Sequence, residues 1–146
     1  GMIPLSLLKL LAFAIGTLCK QHLGTGIYVA EITKSWLSPG LAPFLIFLVS
    51  CFVAFSIGSS WGTFGIMIPI AVSMGQSIGA EPHIVIAAAL GGGVVGDHCS
   101  PISDTTILSS MASATDHVDH VKTQLPYALV AGGLAALGYL VIGLVN

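Results

Sequence analysis

Apolar runs of helical length alternate with short polar clusters along the chain, and where each run stops is as informative as the run itself. Residues 4–19 are mostly apolar, and Lys20, Gln21 and His22 close them as headgroups close a crossing helix, so a transmembrane helix is predicted there. Over 23–37, Glu31, Lys34 and Ser35 interrupt Ile27, Val29 and Ile32 without gathering on one face. The pattern predicts an interfacial helix with Trp36 as its headgroup anchor. Ser38, Pro39 and Gly40 then punctuate the chain before an uncharged apolar run begins at Leu41.

That run is broken by Gly58, Ser59, Ser60, Trp61, Gly62 and Thr63, and apolar sequence resumes at Phe64. The arm 64–74 rises only about 17 Å at 1.5 Å per residue, against a hydrocarbon core of about 30 Å. A re-entrant hairpin over 41–75 with its tip at 58–63 is therefore predicted. Backbone groups and hydroxyls at that depth need protein or water partners. The same small residues also suit close helix packing, and that alternative stays open. Farther along, Glu81 and Pro82 mark a helix start, and Gly91, Gly92 and Gly93 permit very close approach of a neighbouring backbone. Pro101 removes a backbone donor before apolar sequence returns at Ile107. Residues 82–113 thus read as one crossing helix broken over 96–105, and 126–145 as a last transmembrane helix.

Composition places all of this in a bilayer. The chain is 55% apolar and 7% charged with a mean hydropathy of +0.98, whereas a soluble domain carries roughly a quarter charged residues. The fold class expected is an all-α polytopic membrane protein, a single transmembrane domain over 1–146. Four Lys, no Arg and a net charge of −2 leave no basic face for a phosphate backbone, so nucleic acid is excluded as a partner. Lys9 lies inside the first apolar run, and no secretory signal is expected. Cys19, Cys51 and Cys99 are widely spaced and read as small apolar filler. At about 20 residues per crossing, 146 residues allow about five crossings, few for a transporter, and the chain is expected to be part of a larger protein.

Chemistry concentrates in 96–106, which holds two carboxylates, an imidazole and four hydroxyls. A carboxylate at bilayer depth costs roughly 2.5–3.5 kcal/mol even on lenient insertion scales, so two in one short segment call for an ion or a wet cavity. A broken helix also frees carbonyls at one half-helix end and N–H groups at the other, and transporters hold Na+ at such ends. Asp97, Ser100, Ser103, Asp104, Thr105 and Thr106 are all oxygen donors suited to a hard cation, with Ser59, Ser60 and Thr63 added from the tip. Na+ at Asp97 and Asp104 is the expected site. For Ser103 and Asp104 the alternative is an N-cap of the second half-helix. His98 either carries a proton or orients a neighbouring carboxylate. Asp116, His117, Asp119 and His120 stand at helical spacing on shared faces, and form either a pH-sensing or metal-binding loop or a hydrophilic membrane-edge turn capped by Thr115 or Asp116. Two His without a third fixed ligand favour the turn.

The tip 58–63 with Phe64-Gly65-Ile66-Met67-Ile68-Pro69-Ile70, the stretch GDHCSPISDTTILSS and the stretch DHVDHVKTQLPYAL resemble the NhaC-type Na+/H+ antiporter family. Upstream Leu11-Ala12-Phe13-Ala14-Ile15-Gly16 and Leu23-Gly24-Thr25-Gly26 are similar too. The resemblance implies the ion-transporter superfamily architecture, two inverted repeats each with a re-entrant hairpin and a discontinuous helix, and about half of the usual length, most like the C-terminal half. The facing repeat, the lipid bilayer and a homodimer of the full-length form are then the partners, and a multi-pass location in the bacterial inner membrane the setting. The expected activity is secondary transport rather than enzymatic chemistry: Na+ and protons compete for Asp97 and Asp104, with no cofactor beyond the transported ions. Two other readings follow from the same residues. One is Na+- or H+-coupled antiport of a small carboxylate or amine, with Trp61 lining a solute pocket. The other is a membrane-embedded metallohydrolase built on Asp97, His98 and the later His pair.

Overall fold

A proline opens the first described helix and a glycine closes it. In the computed structural model, which describes residues 37–145 throughout and scattered positions between 10 and 32, Pro39–Leu41 form a 3-10 turn that runs into α1, Ala42–Ile57. The helices expected over 4–19 and 23–37 fall, those positions apart, outside the described residues. Gly58 ends α1 in the left-handed region at φ 70°, its amide donating to Ala54 O at 2.8 Å. Helix α2, Ser60–Ile78, starts behind the N-cap Ser59 and stops at Gly79, φ 76°. Pro82 stands in the first turn of α3, Pro82–Cys99. A short helix α4, Asp104–Ala112, is bent 48° from α3, and α5, His117–Val145, closes the bundle. Every regular element among the described residues is helical.

Pro39–Ile57 and His117–Val145 are long and apolar enough to cross a membrane, and the bent pair α3 and α4 makes a third such span if counted as one. Three boundaries differ from the sequence pattern. The tip narrows to Gly58 and Ser59, because Ser60 to Thr63 already belong to α2. With 19 residues α2 rises about 28 Å, not the roughly 17 Å of its apolar part alone. The break shrinks to 100–103, since Gly96, Asp97, His98 and Cys99 stay helical and only Pro101, with no N–H, halts the ladder. Helix α5 starts nine residues ahead of Pro126 and passes through it.

Packing explains why Gly96 did not break its helix. A Cβ at Gly92 would strike Phe47 O, and one at Gly96 would strike Cys51 O, so α3 lies backbone against backbone on α1. Lipid tails are as apolar as Leu, and such close small-residue contact is what holds helices together in a bilayer. Val85, Ala88 and Ala89 extend the seam toward Ile46, Phe47, Met67 and Ala71. Helix α5 closes it from outside, with the Phe47 and Tyr139 rings 5.2 Å apart and the Tyr139 hydroxyl donating to Ala87 O at 2.8 Å. The seam ends one residue short of Asp97 and delivers that carboxylate to the bundle interior.

Candidate cation site at the helix break

Asp97 is 2% exposed, and both of its oxygens are met by hydroxyls from beyond the break. Ser103 donates to Oδ1 at 2.9 Å and Thr105 to Oδ2 at 2.8 Å, while Ser103 Oγ and Thr105 Oγ1 are themselves 2.7 Å apart. Ser103 is the N-cap residue of α4, yet its hydroxyl makes no cap bond; Asp97 has taken it. Burying a carboxylate without partners costs several kcal/mol, so hydroxyls on both oxygens are what make this position tenable.

The break is clamped on its other side to α1. Ser100, fully buried, donates its hydroxyl to Phe55 O at 2.8 Å, and Gly58 sits so close to Ile102 that a Cβ there would lie 2.9 Å from the Ile102 carbonyl oxygen. The two polar interruptions of the chain therefore meet. Their hydroxyls do not pool, however. Ser59 Oγ accepts from Gly62 N at 3.3 Å and Thr63 Oγ1 donates to Ser59 O at 2.9 Å, so both serve the first turn of α2. Trp61 is 54% exposed and meets Phe64 edge-on, centroids 5.9 Å apart.

The remaining candidates separate. Thr106 is 2% exposed and its hydroxyl has no hydrogen-bond partner, which marks a buried oxygen still able to ligate. Asp104 is exposed, and its Oδ1 accepts from Thr105 N at 2.9 Å, a local helix-start bond. His98 is exposed too, its Nδ1 donating to Val94 O at 3.0 Å in its own helix rather than turning to Asp97. Asp116 caps α5 through Val118 N at 2.9 Å and Asp119 N at 3.2 Å, and Asp119 pairs with Lys122 at 3.7 Å on the surface. His120 Nε2 is buried without a partner. His117 leaves the loop altogether: Nε2 donates to Pro101 O inside the break at 2.7 Å, and Nδ1 lies 3.1 Å from Ser110 Oγ. Among the described residues, no three of His, Cys, Asp and Glu gather as a metal-holding group.

Two contributors escaped the sequence reading. Gln124 Nε2 donates to His98 O at 3.1 Å, and Ser110, 2% exposed, extends the buried row Ser103 and Thr106 along one face of α4. The spacing 103, 106, 110 is a helical stripe of hydroxyls, a signal available in the chain itself.

A family model described as the Na+/H+ antiporter family matches residues 1–144. The chain belongs to that family. Among curated relatives, it is 34% identical to the arginine/ornithine antiporter ArcD of Halobacterium salinarum over 77% of this chain and 27% of the relative. It is 30% identical to the malate-2H(+)/Na(+)-lactate antiporter of Bacillus subtilis over 80% of this chain and 28% of the relative. The Na(+)/H(+) antiporter NhaC of Alkalihalophilus pseudofirmus is 27% identical over 79% of this chain and 28% of its own length. This antiporter-family chain thus spans about a quarter of the length of the curated relatives it matches, a smaller share than the half its motifs implied. No solved structure matches it significantly.

Proposed function

We propose that this chain supplies the cation and proton site of a Na+/H+ antiporter, with both ions competing for Asp97. The supporting observation is a count of hydrogens. Asp97, Ser103 and Thr105 make three close oxygen–oxygen contacts, of 2.9, 2.8 and 2.7 Å, and the two hydroxyls bring only two hydrogens. With the carboxylate ionised, both hydrogens go to Asp97 and the contact between Ser103 and Thr105 has none. One proton on Asp97 completes the ring. A cation takes the opposite route, drawing on the lone pairs of the same oxygens and of Thr106, so proton and Na+ exclude one another and exchange follows. Asp104, exposed at the first turn of α4, acts in this scheme as an outer carboxylate that concentrates cations at the entrance.

The finer architecture belongs to the same proposal: α1 and α2 as a re-entrant hairpin beside the broken α3 and α4, with a facing repeat in the sequence that the longer relatives carry beyond the matched quarter. Alternating access is then the movement of one repeat against the other around Asp97.

Coupling to an organic solute is the second reading, favoured by relatives named for arginine/ornithine and malate/lactate exchange. A groove of about 430 Å3 between α1, α3 and α5 is walled by Phe52, Phe55, Cys99 and Leu129 without a charged side chain, and Trp61 is not among its walls. This groove offers a carboxylate or amine nothing to bind, whereas the hydroxyls on Asp97 suit a cation, and the solute reading stands second. Proteoliposomes of the whole transporter test both. A pH gradient should drive Na+ uptake with no organic solute present, and Asp97→Asn should lower that rate at least a hundredfold. Uptake that appears only with an organic counter-solute replaces the first reading by the second, and a fully active Asp97→Asn removes Asp97 from either.

A further inference from the structure

A broken helix leaves carbonyls without partners, and here α5 reaches over to take two of them. His98 O, in the last turn of α3, accepts from Gln124; Pro101 O, inside the break, accepts from His117. The two donors are seven residues apart on α5, two turns on one helical face, so a single face of α5 straps both sides of the interruption. His117 Nδ1 also lies 3.1 Å from Ser110 Oγ, so the far end of α4 stands against the same residue. Two of the break's carbonyls are thus occupied from outside, and the side chains that meet Asp97 are the hydroxyls of Ser103 and Thr105.

We infer that His117 and Gln124 are positioning residues that hold the break in its ligating shape without touching the ion. The inference rests on Asp97 being the ion site. Pro101 and Ser103 flank Ile102, and Ser103 is the direct partner of Asp97, so a displacement of Pro101 passes to the ligand set within two residues. Helix α4 is coupled to α5 by the same histidine, so tilting α5 during transport carries the break with it.

The test uses the full-length transporter. His117→Ala should raise amide exchange across 100–105 several-fold and raise the Na+ concentration for half-maximal exchange about fivefold, with the maximal rate within about twofold, as loss of one ordinary hydrogen bond allows. His117→Gln, whose amide still donates to Pro101 O, should restore both values. Gln124→Ala should act in the same direction and more weakly, and the double variant should fall short of the sum if the pair works as one strap. Unchanged amide exchange and unchanged half-saturation in His117→Ala overturn the proposal, as does failure of His117→Gln to rescue. Wild-type protein that shows no Na+ dependence while amide exchange still responds to His117→Ala refutes the ion reading and leaves the strap standing.

Discussion

Ser59 and Ser103 occupy the same local position, an extended residue at the N-cap of a helix that follows a polar interruption. Ser59 Oγ accepts from the amide of Gly62 and starts α2; Ser103 Oγ ignores its own helix and donates to Asp97. The neighbouring threonines divide in the same way, Thr63 returning its hydroxyl to Ser59 O and Thr105 giving its hydroxyl to Asp97. Two segments of matching composition therefore do different work. What separates them is a buried carboxylate within reach, which turns the Ser103 side chain toward Asp97 and away from the amides of its own helix.

The two segments touch at Gly58, and that contact is where the arrangement is easiest to destroy. Gly58 combines a φ of 70° with a carbonyl of Ile102 2.9 Å from where a Cβ would stand. Gly58→Val should cost about 2–4 kcal/mol from left-handed strain and overpacking combined. Thermal unfolding in detergent should register it, and a variant as stable as the parent would show that the interruptions are not packed on each other.

Ser103→Ala and Thr105→Ala come next and probe the proposed binding member of the pair. Each removes one hydroxyl oxygen from the proposed cation shell, a loss of about 1–2 kcal/mol, so the apparent Na+ affinity should fall about tenfold in each. The two together should be less damaging than the product, because they share Asp97. Flux titrated against Na+ measures all three, and two alanine variants with parental affinity would take the hydroxyls out of the site.

Much of the scaffold was legible in the residues. Pro82 opens its helix, Pro101 breaks it and Gly58 stops its own, because a missing donor or a missing Cβ acts locally and needs no knowledge of the fold. Gly96 misled, since a glycine that ends a helix and a glycine that lets another backbone approach look alike until Cys51 is seen against it. Asp97 and Asp104 both read as cation ligands, with helix capping the alternative for Asp104. The turn at Ser100 and Pro101 buries one and exposes the other, a long-range outcome of the α1 seam. His117 read as part of a polar loop for the same reason: its partner Pro101 lies 16 residues away, in the break between two helices bent by 48°.

Ser59→Ala is the smallest change and the control for the serine comparison. An N-cap hydroxyl contributes about 1 kcal/mol, and at 3.3 Å this one is long, so a loss of about 0.5–1 kcal/mol in unfolding free energy is expected. Na+ affinity should stay within about twofold of the parent, because neither Ser59 nor the amide it caps reaches Asp97. The contrast with Ser103→Ala is then qualitative: one serine moves stability and spares affinity, the other moves affinity. Should Ser59→Ala lower Na+ affinity as far as Ser103→Ala, the tip would have to contribute a ligand in some state of the transport cycle, and the division between a capping interruption and a binding one would dissolve.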